Sequence, residues 1–231
     1  MYAKVALYAR LCLSTVREAQ GADHFFRMSR GNMASREWVN AIKSSDEAAI
    51  QRLREAHKDF SLEGESFSNV QLGTLPLKEL NFANTEWENC IFDGVQFLSS
   101  DLSGAFFNAC TFHNCVFNAS TLDDVSFDGC VMQRTIFKDI SPSALELANC
   151  QFKECEWTDI TLDEAQFSSL SFTAGKLQNI SGNGSLQAVV LRNVAVDEFD
   201  TEQFEMNHCT ASGTENLPKG FTRCEGNRKR V

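Results

Sequence analysis

Residues 80–119 read LNFAN TEWEN CIFDG VQFLS SDLSG AFFNA CTFHN CVFNA when cut into fives. The third residue of every unit is Phe, Trp or Leu: Phe82, Trp87, Phe92, Phe97, Leu102, Phe107, Phe112 and Phe117. The first is mostly small: Leu80, Thr85, Cys90, Val95, Ser100, Ala105, Cys110 and Cys115. A helix would repeat its apolar face every 3.6 residues and a strand every 2, so neither accounts for a beat of five. A chain that turns a corner every five residues does: the third and first residues point inward, and the other three face solvent or make the corner. Asn, Asp, Ser and Gly gather at those outward positions, as in Asn81-Phe82-Ala83-Asn84 and Asp101-Leu102-Ser103-Gly104. They suit tight turns through local hydrogen bonds or access to positive φ.

The beat extends in both directions. From Leu62 to Leu177, 24 successive central positions hold 12 Phe, 8 Leu, 2 Trp, Met132 and one exception, Pro142. This repeat explains the unusual content of 19 Phe beside 2 Tyr and 3 Trp. Four units close a square coil of 20 residues, and the sequence tests that number. Cys90, Cys110, Cys130 and Cys150 are 20 apart and should form one column, with Val70 and Leu170 at its ends. Phe92, Phe112, Met132, Phe152 and Phe172 should form a central ladder. Cys here acts as a small apolar side chain filling a narrow interior. Stacked thiols pointing the same way favour neither a disulfide nor a zinc site. The expectation is an all-β solenoid of about six coils spaced ~4.8 Å apart.

Residues 60–180 resemble the pentapeptide-repeat family, whose motif is roughly A(D/N)LXX. Matching units are Leu80-Asn81-Phe82-Ala83-Asn84, Ser100-Asp101-Leu102-Ser103-Gly104 and Ala165-Gln166-Phe167-Ser168-Ser169. The resemblance implies a right-handed quadrilateral β-helix and suggests a bacterial source. It implies no single function: some relatives bind DNA gyrase by mimicking DNA, and others serve different roles.

Breaks in the beat set the boundaries. Pro142 cannot fill a Phe-sized slot or donate a ladder hydrogen bond, so distortion is expected at Ser141-Pro142-Ser143-Ala144. After Ile180 comes Ser181-Gly182-Asn183-Gly184, and the beat returns shifted at Leu186, Leu191 and Val196, with Val189 and Val194 at the second inward position. The β-helix is therefore assigned to 60–196, degraded after 180. Residues 197–231 are read as a C-terminal cap, with Phe199, Phe204, Met206 and Phe221 folding over the open end, followed by the basic tail Arg228-Lys229-Arg230. Residues 1–59 are read as a small α-helical domain, either a cap or an interaction or export segment. Residues 2–19 are compatible with a helix. A second is expected at 35–42, and Ser45 is placed to cap a third through Ile50 and Leu53.

The formal net charge is −10. It is uneven: 60–180 holds 17 acidic and 5 basic residues, whereas 1–59 is net positive. An acidic body disfavours direct nucleic-acid contact and suits a protein partner with a basic surface. The candidate partner surface is Asp123, Asp124, Asp163 and Glu164, on outward sites two coils apart; Glu86, Glu88, Asp128 and Glu146 are placed on another side. No catalytic, metal or cofactor site is expected. His113 falls in an outward column with Asp93 and Lys153, and no nucleophile has a base set beside it. The nine Cys fit a reducing compartment. The cytoplasm is the expected location, with non-classical secretion left open. The sequence has no stretch approaching a transmembrane span. The leading functional expectation is a non-enzymatic protein-binding scaffold, including the case of a secreted bacterial effector. The alternative is a DNA mimic directed at gyrase or another topoisomerase. Whether the chain forms a homo-oligomer is left open.

Overall fold

The computed structural model describes residues 33–56, 61–74 and 76–224. The helix expected over 2–19 and the basic tail at 228–230 lie outside them. The chain divides into Met1–Glu37 and Trp38–Val231. Of the first unit only 33–37 are described, as the opening turns of a helix.

Two helices come first, α1 at Met33–Lys43 and α2 at Glu47–Ala56. Their junction differs from the expected cap. Ser45 has φ 53 and ends α1. Its N–H bonds the Ile42 carbonyl, and the Asp46 N–H reaches back to Ala41, which is the paired bonding of a Schellman turn. Asp46 is the residue that caps α2, accepting the Ala49 N–H at 2.9 Å. A residue held at positive φ has to close the first helix, so the capping role passes one position on. Trp38, Ala41, Ile42 and Ile50 are buried in the same apolar cluster as Leu62, Phe67 and Leu72. They cover the first coil, beneath which no further coil lies among the described residues.

From Ser61 onward the chain is a four-sided solenoid of short parallel strands. Three faces are laddered by residues 20 apart. Phe67 pairs with Trp87, then come Phe107, Phe127, Leu147 and Phe167. Leu72 leads through Phe92, Phe112, Met132 and Phe152 to Phe172. Leu77 leads through Phe97, Phe117, Phe137 and Trp157 to Leu177. The fourth, the Leu62 face, is joined by the single bridges Ser61↔Asn81↔Asp101↔Thr121 and Ser143↔Asp163, until Thr161 and Leu162 pair with Ser181 and Gly182. Inside, rings of one ladder stack flat: Phe92 on Phe112 at 4.7 Å and Phe107 on Phe127 at 4.8 Å. Neighbouring ladders meet edge to face, as Phe107 does with Phe112 at 5.5 Å. Both geometries suit the ring quadrupole, and the coil spacing sets the stacking distance.

The second inward position shows why Cys, Ser and Thr are used there. Most donate to the backbone carbonyl 23 residues earlier: Ser100 Oγ to Leu77 O at 2.7 Å, Ser120 Oγ to Phe97 O at 3.1 Å, Cys130 Sγ to Phe107 O at 3.3 Å, Cys155 Sγ to Met132 O at 3.3 Å; Thr85 instead donates to Phe82 O at 2.7 Å. A buried hydroxyl or thiol thus keeps a partner without leaving its column. Burial pushes the Cys115 thiol up to about 12 and Cys155 up to about 11. Cys90 and Cys130 are also raised, first by the hydrogen bond each shares with the Cys110 thiol and also by burial. The eight described cysteines are free, and all but Cys224 are buried.

The corner is one repeated device. The residue two after almost every central position adopts left-handed backbone, as at Asn89, Ala109, Ala119, Asp124, Glu164 and Gly129. This explains the Asn and Gly enrichment there.

Pro142 is buried in its central slot, and pairing around it shrinks to the Ser143↔Asp163 bridge. Its carbonyl still accepts the Asp163 N–H at 3.1 Å, and the Ser143 N–H turns to the Asp123 carboxylate at 2.8 Å. The C-terminal part departs further from the expected boundary at 196. The shifted beat is the same ladder with one residue removed: Phe167 pairs with Leu186, Phe172 with Leu191 and Leu177 with Val196. The register shift falls between Leu162 and Ala165, opposite Gly182 and Gly184. A Cβ on Gly182 would lie 1.8 Å from the Leu162 carbonyl oxygen, so only glycine fits. Pairing then continues past 196. Gln203–Asn207 and Thr210–Ser212 add another coil, with Phe204 opposite Gly184 and Met206 opposite Leu186. Phe204 and Met206 are therefore ladder residues and not a lid. Phe199 and Phe221 line, with Trp157, Leu162 and Leu177, a small apolar cavity of about 20 Å³. Leu162, which lines it, is paired with Gly182, a residue that brings no side chain to the Leu62 ladder.

Candidate interaction surface

The four expected surface residues share the Leu62 face, where each follows a buried Leu. Asp123 and Asp163 occupy the outward site after Leu122 and Leu162, and Asp124 and Glu164 occupy the left-handed corner beyond, at φ 54 and 52. Ser143 and Ala144 stand between the two pairs, which are about 10 Å apart at the coil spacing. Two of the carboxylates also brace the coil. Asp123 holds the Ser143 N–H, and Asp163 accepts Asn183 Nδ2 at 2.9 Å. The Asn183 side chain in turn receives the Glu164 N–H at 2.9 Å. Asp124 and Glu164 stay exposed.

The second acidic group lies on the next face round the coil, across that corner. Glu86, Phe106, Ser126 and Glu146 are successive rungs of one outward column of the Phe67 face, and Glu88, Asn108, Asp128 and Ala148 of the other. Within 61–180 these two adjoining faces carry Glu63, Glu65, Asp101 and the eight acids already named, with no Lys or Arg. All the bases of that span sit on the other two faces: Arg134 and Lys153 beside the Leu72 ladder, Lys78, Lys138 and Lys176 beside the Leu77 ladder. There they meet acids locally: Lys78 with Glu79 at 3.1 Å, Lys138 with Asp139 at 3.7 Å, Arg134 with Glu154 at 3.8 Å. The two acidic groups, assigned to separate sides from sequence, are thus one half of the rod's circumference. Spacing alone gives each residue's face; the pairing of bases with acids on the opposite half becomes visible only from side-chain positions.

One outward apolar side chain on these faces departs from the five-residue pattern. Phe106, directly before the inward Phe107, is 39% exposed and stands among these acids. The unit Ala105-Phe106-Phe107 carries the signal, since an aromatic at that outward position breaks the pattern. Ile91 and Val131 are similarly exposed on the Leu72 face. His113 stands in register with Asp93, Gln133 and Lys153, as the spacing requires. Among the described residues no three metal-ligating side chains converge, and no helix is long and apolar enough to cross a membrane.

The family model for pentapeptide repeats matches residues 77–108 and 100–139, in eight copies. Among solved structures, full-length QnrB1, a plasmid-mediated fluoroquinolone resistance protein, is 20% identical, with 70% of this chain and 94% of that chain covered and a TM-score of 0.39. HetL, a pentapeptide-repeat protein involved in heterocyst differentiation regulation from the cyanobacterium Nostoc sp., is 14% identical over 77% of this chain and 93% of its own, with a TM-score of 0.30. No curated protein matches the sequence significantly. Eight copies of the motif lie in the coils whose ladders have been traced, so residues 77–139 are pentapeptide repeats.

Proposed function

We propose that this protein is a non-enzymatic binding protein whose acidic half takes the place of DNA on a DNA-binding protein, with gyrase or another topoisomerase as the partner implied by its family. The observation behind this is the segregation of charge around the rod. From Glu63 to Glu164 is five coil steps, about 24 Å. Over that length the outward carboxylates of the two acidic faces fall about one per 2.4 Å. Duplex DNA presents about one charge per 1.7 Å from both strands, and a partner on one side meets fewer. The density is comparable, and no base on these faces dilutes it.

A scaffold for some other basic protein is the second reading. Phe106 favours it, because a protruding phenyl ring has no counterpart on a phosphate backbone. One measurement separates the two. Purified protein should inhibit gyrase supercoiling and compete with duplex DNA for the enzyme, and reversing Asp124 and Glu164 to Lys should weaken both effects, with the wild-type effect fading as salt rises. A protein that leaves supercoiling and DNA binding unchanged at low salt removes the DNA-mimic reading.

A further inference from the structure

We infer that Phe106 is the anchor of a docking site on the Phe67 face and that its occupant is an arginine-bearing segment of a protein partner. This rests on the acidic-half reading above and names the chemistry of one site within it. Phe106 is the only large apolar side chain among the described residues of the two acidic faces to be exposed to this degree. Glu86 is its neighbour one coil below, Ser126 the neighbour above, and Glu146 the next rung. Glu88 and Asp128 stand diagonally across the strand, about 8 Å away from the geometry of a parallel sheet. An exposed ring held on a rigid sheet and flanked by carboxylates suits a planar cation. A guanidinium can stack on the phenyl face and donate sideways to a carboxylate at the same time, through a fixed fork of N–H groups. A lysine ammonium, a hydrated point charge, can reach a carboxylate but gains less from the ring. The sheet face is flat, so the segment would lie along the column. Interfaces of this kind concentrate binding energy in a few aromatic and arginine contacts.

The test uses the full chain and two fluorescent probes of equal charge, a nona-arginine and a nona-lysine peptide, titrated by anisotropy at about 0.1 M salt. The expected result is that the arginine peptide binds about two- to fivefold more tightly, the range of an exposed cation–π contact. Phe106→Leu, which keeps bulk and removes the π face, should bring the two affinities together. Phe106→Tyr should preserve the difference, and Val131→Thr on the opposite half should leave it unchanged. If both peptides bind equally, or if the arginine preference survives Phe106→Leu, the anchor is overturned while the acidic-half reading stands. If neither peptide binds the wild-type protein, both fail together.

Discussion

The coils built on Phe107, Phe112 and Phe117 and the coils built on Leu186, Leu191 and Val196 obey the same five-residue rule with different success. In the first set each ring lies flat on the ring of a neighbouring coil, the ring centroids separated by the coil spacing. In the second, one residue is missing, two glycines press against the backbone below, and Leu186 and Leu191 line a small cavity. Pairing survives in both. Backbone laddering thus tolerates a lost residue that side-chain stacking does not. A solenoid's stability is close to a sum over neighbouring coils, so this difference should be measurable coil by coil.

Cysteine labelling should show the largest effect. Cys110 and Cys209 occupy the same column in the two regions, and both are buried. A buried thiol reacts only when the coil opens. At pH 8 Cys110 should label at least about a thousandfold more slowly than exposed Cys224, since it opens only with the core. Cys209 should fall between them. Equal rates for Cys110 and Cys209 would erase the contrast, and fast labelling of Cys110 would place its column outside. The raised thiols also set a pH limit. Cys115 and Cys155 titrate at about 12 and about 11 when folded, above their unfolded value. Their contribution is therefore complete below about pH 9 and is lost as pH rises through 11 to 12. Urea midpoints should fall over that window.

Core truncation comes next. Phe112→Ala removes a ring stacked on Phe92 and edged by Phe107 and Phe117, and the fixed coils cannot collapse into the space. The expected cost is about 3–5 kcal/mol. Leu191→Ala opens onto a cavity already present, so fewer contacts are lost and the cost should sit near the low end, about 2 kcal/mol. Urea unfolding monitored by circular dichroism measures both, and a Phe112→Ala cost below 1 kcal/mol would contradict the ladder.

A glycine pair tests the backbone alone. Gly182 has φ +128, and its missing Cβ would overlap the Leu162 carbonyl, whereas Gly129 has φ +63 and the nearest backbone atom lies at 4.0 Å. Gly182→Ala should cost about 3 kcal/mol, the upper range for backbone strain. Gly129→Ala should cost about 1 kcal/mol. If Gly182→Ala proves the milder of the two, the close approach of the last coils is wrong.

These contrasts also mark what the sequence could show. The central ladders and the Cys column were legible because the interior admits few residue types and the coil length is constant. The missing residue was legible too, since Leu186, Leu191 and Val196 keep the beat one step early. The coil at 203–212 was not. Its large side chain, Phe204, fills the second inward site opposite Gly184, while its central sites hold Met206 and Ala211, so the usual order of large and small is inverted. That compensation is between coils and leaves no period in the chain. The candidate surface divides in the same way. The face of Asp123 and Asp163 follows from spacing, but their bonds to Ser143 and Asn183 do not. The adjoining of the two acidic faces needed only the order of faces around the coil, while Phe106 was hidden by the inward Phe107 beside it.

The smallest effect concerns what the two regions share. Ala109 and Ala119 in the central coils and Ala188 in the later ones hold the left-handed corner at φ 51, 51 and 54. An alanine there carries a steric cost of about 1–2 kcal/mol that glycine avoids. Glycine returns part of this through greater freedom in the unfolded chain, about 0.4–1 kcal/mol. Ala109→Gly, Ala119→Gly and Ala188→Gly should each stabilise the fold by about 0.5 kcal/mol, read as a small rise in the urea midpoint at constant slope. The corner has the same backbone in both regions, so the three gains should agree even though the cores behind them differ. A gain at Ala109 with a loss at Ala188 would mean that the missing residue deforms the corner as well as the core. The contrast between the two regions would then extend from side-chain stacking to the backbone itself.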